Sequence, residues 1–169
     1  MSTSVAIPEW IKRIADDERK RDSVRVREDE LVAKKADLVR RNGQRLVDEL
    51  RATVTRDVDA FRDEFAGDPS RDIVVEAVVP DGGFVVRKPA PAAVSLTITP
   101  NLATASMVCH YRFTPTNGLP PREDRIDVVF AGNGGDTLQM KHHGTGQVFS
   151  TPDVLSEFLL VPVLTGRPR

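Results

Sequence analysis

The spacing of apolar residues divides the chain into two textures. From Ile7 to Phe65 the only proline is Pro8 and the only glycine is Gly43, within a dense mixture of Arg, Asp, Glu, Lys, Leu and Val that suits a helix. At 100° per residue, Leu46, Val47, Leu50, Val54, Val58, Phe61 and Phe65 fall on one stripe about 120° wide. Such a stripe must bury against something. Ile7, Trp10, Ile11 and Ile14 project to much the same side, but Asp16 to Glu30 carries twelve charges and only Val24 and Val26 as apolar members. That middle stretch has little to bury and reads as a solvated helix face. Pairs such as Asp16 with Lys20, Asp17 with Arg21 and Glu30 with Lys34 support it by about 0.2–0.5 kcal/mol each.

Pro8 suits a first helical position, and Glu9 sits where the positive end of the helix dipole favours an anion. Asn42 and Gly43 follow two arginines and resemble a C-terminal stop, so a helical hairpin turning there is one alternative. Continuity is the preferred reading. Val39, Leu50 and Phe61 recur every eleven residues, and the apolar phase passes through Gly43 without a reset. A continuous helix separates Ile11 from Leu50 by about 60 Å, further than a small sheet reaches. Trp10, Ile11 and Ile14 would then have no cover from their own domain and would mark a contact with another chain. The competing arrangement folds the first two turns back onto the core as a separate short helix.

Beyond Gly67 and Pro69 the pattern changes to short β-branched runs separated by turn residues. Strands are predicted at 72–79, 84–88, 93–99, 104–113, 125–131, 137–142 and 147–149. Asp81 to Gly83, Asn133 to Gly135 and Gly144 to Gly146 serve as hairpin turns. Short links with no intervening helix imply an antiparallel meander. Alternation is clean: Val94, Leu96 and Ile98 face one way, and Ser95, Thr97 and Thr99 the other. Met107, Cys109, Tyr111 and Phe113 continue the apolar face. Thr151, Pro152 and Asp153 then form a helix start, with Val154, Leu155, Phe158 and Leu159 as its apolar side, and Pro162 and Gly166 end regular structure. The expected fold is α+β: a long N-terminal helix (1–66), then a meander sheet of six or seven strands with a short C-terminal helix (67–169), packed on the second half of the long helix.

Size and charge narrow the function classes. The chain has 169 residues and 18.6 kDa, room for one domain with a sizeable core or one small domain plus an extended appendage, and too little for a large barrel enzyme. With 24 basic and 25 acidic residues, the net charge of −1 provides no global field for nucleic acid or an anionic membrane. No signal-peptide pattern occurs in the first residues and no apolar run approaches a membrane span, so a cytoplasmic protein is expected. The lone Cys109 fits a reducing compartment. Arginine outnumbers lysine 18 to 6, which matches the coding bias of a GC-rich bacterial genome.

The chemistry-bearing residues are few. His110, His142 and His143 are the only histidines, and Cys109 and His110, adjacent in a strand, point to opposite faces and cannot chelate together. The glycine loops open no helix and carry no nucleotide-loop Lys or Ser/Thr. No catalytic motif, cofactor site or metal site is read from the sequence, although an active site built from scattered residues leaves no linear motif. The polar sheet face gathers Arg87, His110, Arg112, Arg125 and Lys141 with several hydroxyls, a surface able to take an anionic ligand. The aromatic residues needed to stack unpaired bases lie on the other face, which disfavours single-stranded nucleic acid. The leading expectation is a non-catalytic interaction or oligomerisation module acting through Trp10, Ile11 and Ile14 on a protein partner or on its own copies. The alternative is a ligand-binding domain using the polar sheet face or a pocket beneath the C-terminal helix.

Overall fold

The computed structural model describes residues 6–78, 81–89, 92–132 and 135–169. It has an α+β fold: a long helix α1 (Glu9–Glu64), a seven-stranded antiparallel sheet and a C-terminal helix α2 (Pro152–Thr165). The strands are β1 (Val74–Val78), β2 (Gly83–Lys88), β3 (Ala93–Asn101), β4 (Ser106–Thr114), β5 (Arg122–Gly132), β6 (Leu138–His142) and β7 (Val148–Phe149). They lie in the sheet in sequence order, the meander that the short turn-rich links imply. By its internal contacts the chain forms two compact units, Met1–Asp37 and Leu38–Arg169.

The second unit holds the core. Val39, Val47, Leu50, Val54 and Val58 are buried along α1, on the stripe that the helical period selects. Helix α1 runs through Asn42 and Gly43 without a turn. Gly43 is buried, and a Cβ there would lie 2.8 Å from Leu102 Cδ2 and 3.3 Å from Val39 Cγ1. The glycine therefore admits Leu102 against the helix rather than ending it.

Cross-strand register puts the apolar residues on one face. Phe84 lies opposite Ile98, Val86 opposite Leu96, Leu96 opposite Tyr111, Met107 opposite Val128 and Phe130 opposite Met140. These side chains pack with the α1 stripe and with Leu155, Leu159, Leu160 and Val163 of α2 in one core. Thr151 caps α2 by accepting from the Val154 N–H. Its first turns are tied to α1: Ser156 donates to Asp57 at 2.7 Å, and Arg56 bridges Asp57 and Asp153. Tyr111 donates its hydroxyl to the Leu159 carbonyl at 2.5 Å.

Several boundaries differ from the sequence reading. Helix α2 continues past Pro162 to Thr165 and ends at Gly166, which adopts a left-handed φ of 68°. A proline inside a helix leaves the carbonyl four residues back without its donor; here that carbonyl, Phe158 O, accepts from Arg169. Strand β4 starts at Ser106 because Leu102–Thr104 forms a 3-10 turn. Strand β5 starts three residues earlier than expected, since Arg122 to Asp124 pair with Phe113 to Tyr111. Strand β1 starts at Val74; its expected end at Val79, and the Asn133–Gly134 part of the second turn, lie outside the described residues.

Candidate functional site

Two surfaces carry the residues singled out from the sequence. The first belongs to the unit spanning residues 1–37. Ile7, Trp10, Ile11 and Ile14 are 59, 57, 40 and 53% exposed; Trp10, Ile11 and Ile14 share one face of the first turns of α1, and Ile7 precedes the helix. Leu31 and Val32, near the other end of the unit, are 68 and 69% exposed. Between them Arg19 pairs with Asp16, Arg21 with Glu18 and Arg25 with Asp22, all three residues apart and open to water. Such exposed pairs stabilise little and leave the helix face soluble.

The second surface is the sheet face away from the core. Register places Arg87, His110, Arg112, Arg125 and Lys141 there together: Arg87 is opposite Ser95, Ser95 opposite Arg112, His110 opposite Arg125, and Lys141 opposite Val129. Alternation along each strand, carried across the antiparallel pairing, made this grouping readable. What sequence reasoning missed is the acidic complement on the same face. Glu76 accepts from Arg87 at 2.8 Å, Asp127 accepts from Arg125 at 3.0 Å, and Glu123 stands 3.9 Å from His110. Only a known register shows that Glu76 lies beside Arg87 and that Glu123 belongs to β5. Arg112 makes no ion pair among the described residues and borders, with Arg87, a shallow depression of about 300 Å³.

The remaining reactive groups are structural. Cys109 is buried in the core, and burial pushes its thiol pKa up, so the thiolate is suppressed. His142 anchors the β6–β7 turn, its Nδ1 accepting from the Gly144 and Thr145 N–H groups at 2.9 and 3.1 Å. Among the described residues no group of three or more His, Cys, Asp or Glu is placed to hold a metal ion, and no helix is long and apolar enough to cross a membrane. No known protein family, curated protein or solved structure matches the chain.

Proposed function

We propose that the protein is a non-catalytic interaction module whose N-terminal helical unit associates through Trp10, Ile11 and Ile14, with a second copy of the chain as its partner. The observation that carries this reading is the exposure of Trp10, Ile11 and Ile14 on one face of the first two turns of α1, with Ile7 exposed just ahead of the helix. Water-exposed Trp and Ile at helical spacing favour a matching apolar helix face, and aromatic anchors of this type dominate interface energies.

The same unit supports self-association. Its large apolar residues concentrate at both ends, with the mixed charges of Asp16 to Glu30 between them. Two copies laid antiparallel bring each Trp10 cluster toward the partner's Leu31 and the partner's Val32, and a two-fold arrangement covers both ends at once. Light scattering on the size-fractionated full chain tests this across a concentration series. The expected result is a dimer that becomes a monomer on the paired substitution Trp10→Ser and Ile14→Ser. A monomeric wild-type chain at every concentration would overturn the proposal.

A further inference from the structure

A cavity of about 440 Å³ opens on the core side of the sheet, between the C-terminal end of α2 and strands β4 to β6. Its apolar wall is Tyr111, Phe113, Ile126, Phe158 and Pro162. The Tyr111 and Phe113 rings stack 5.8 Å apart, and Tyr111 spends its hydroxyl on the Leu159 carbonyl, so that side of the cavity presents ring rather than polar surface. The volume lies in the range of small-molecule sites, which pair a mostly apolar wall with a few placed polar groups.

Those polar groups are unequal. Arg122 is paired with Asp124 at 3.3 Å and also donates to the Arg169 backbone oxygen at 3.4 Å, while the Arg125 side chain turns to the opposite sheet face, where it pairs with Asp127. Arg169 is different. It donates to the Phe158 carbonyl that Pro162 leaves free, and its guanidinium lies 3.8 Å from the centroid of the Phe158 ring. The side chain is thus held on two sides, yet it makes no ion pair with an Asp or Glu among the described residues. Its unused N–H groups remain a fork suited to a carboxylate. His142 also lines the cavity; because its Nδ1 accepts two backbone N–H groups, its own proton sits on Nε2 as a second donor.

We infer that this cavity is a binding site for a small organic carboxylate with an apolar ring or chain. The carboxylate pairs with Arg169, and the apolar body lies against Phe113, Ile126 and Phe158. One guanidinium without an Asp or Glu partner beside an aromatic wall matches a single negative charge on a hydrophobic body. A polyphosphate would need several free cations and would leave the wall unused.

Titration calorimetry of the full chain with 4-phenylbutyrate and with octanoate tests the site, using 4-phenylbutanamide as the uncharged counterpart. The expected result is saturable binding of at least one carboxylate at one site per chain. The amide should bind about tenfold more weakly or worse, because it cannot make the charge-assisted pair. Arg169→Ala should lose a similar factor and Arg169→Lys less, with circular dichroism confirming that α2 persists. Arg87→Ala, on the opposite sheet face, removes the same charge and should leave the affinity within about twofold. No saturation with either carboxylate, equal binding of the amide, or an equal loss in Arg87→Ala would each overturn the inference. None of these results depends on whether the chain self-associates, since every cavity residue lies beyond residue 110.

Discussion

Replacing Gly43 by alanine sets helix propensity against packing. In a helix interior alanine is favoured over glycine by about 1 kcal/mol, so an unconstrained site would gain that amount. Position 43 is constrained. The new methyl would stand 2.8 Å from Leu102 Cδ2, closer than carbon atoms approach, and 3.3 Å from Val39 Cγ1. Leu102 is half-buried against the core and must swing its terminal methyl away. Inserting a methyl into a packed site costs about 1–3 kcal/mol, and movement of a side-chain end belongs at the lower limit. The two terms then cancel, and Gly43→Ala should change stability little or lower it by about 1 kcal/mol. In a Leu102→Ala background the closest obstacle is gone, only the 3.3 Å approach to Val39 Cγ1 remains, and most of the propensity gain should return, giving a coupling of about 1–2 kcal/mol between the two sites. Urea unfolding of the four proteins, with unchanged denaturant slopes, measures this. If Gly43→Ala stabilised both backgrounds equally by about 1 kcal/mol, the close approach of Leu102 would not be the reason for the glycine.

Other outcomes follow from single contacts. Leu50 is fully buried in the core, so Leu50→Ala should lower the unfolding free energy by about 2–5 kcal/mol; a loss below about 1 kcal/mol in urea melts would contradict its central place. The Asp68 carboxyl is held below its ordinary value of 3.8, first by the Ser70 hydroxyl and backbone N–H and then by Arg71. Its stabilising contribution is therefore complete above pH 3.8 and is lost as pH falls through the lowered folded-state pKa. The stability gap between wild type and Asp68→Asn should close over that acid window, and a gap that stays constant with pH would refute the assignment. Cys109 should resist thiol reagents in the native protein and react once urea unfolds it; rapid labelling of the native chain would place the thiol outside the core.

The features legible in the sequence were those with a local physical cause. Turn residues between short alternating runs implied the meander, and alternation placed Val94, Leu96 and Ile98 opposite the hydroxyls of β3. The eleven-residue recurrence of Val39, Leu50 and Phe61 carried α1 through Gly43, although the reason for that glycine, Leu102, lies 59 residues away in sequence. What stayed hidden required contacts at a distance. Pro162 read as a helix end because nothing nearby indicates that Arg169 replaces the missing donor at Phe158. The sheet face read as cationic because register, not composition, sets Glu76 beside Arg87 and Glu123 near His110. A pocket beneath the C-terminal helix was one of the alternatives, but its lining could not be named, because the cavity joins residues of β4 and β5 to Phe158, Pro162 and Arg169.

Trp10 is the only tryptophan, so its emission reports on the proposed contact without any label. Fluorescence of the full chain across a dilution series, with acrylamide quenching at each step, measures the burial of that ring directly. The account predicts blue-shifted, quencher-protected emission at high concentration that reverts to the solvent-exposed form on dilution, and in Ile14→Ser at concentrations where wild type is protected. Emission that stays solvent-exposed and fully quenchable at every concentration would contradict it.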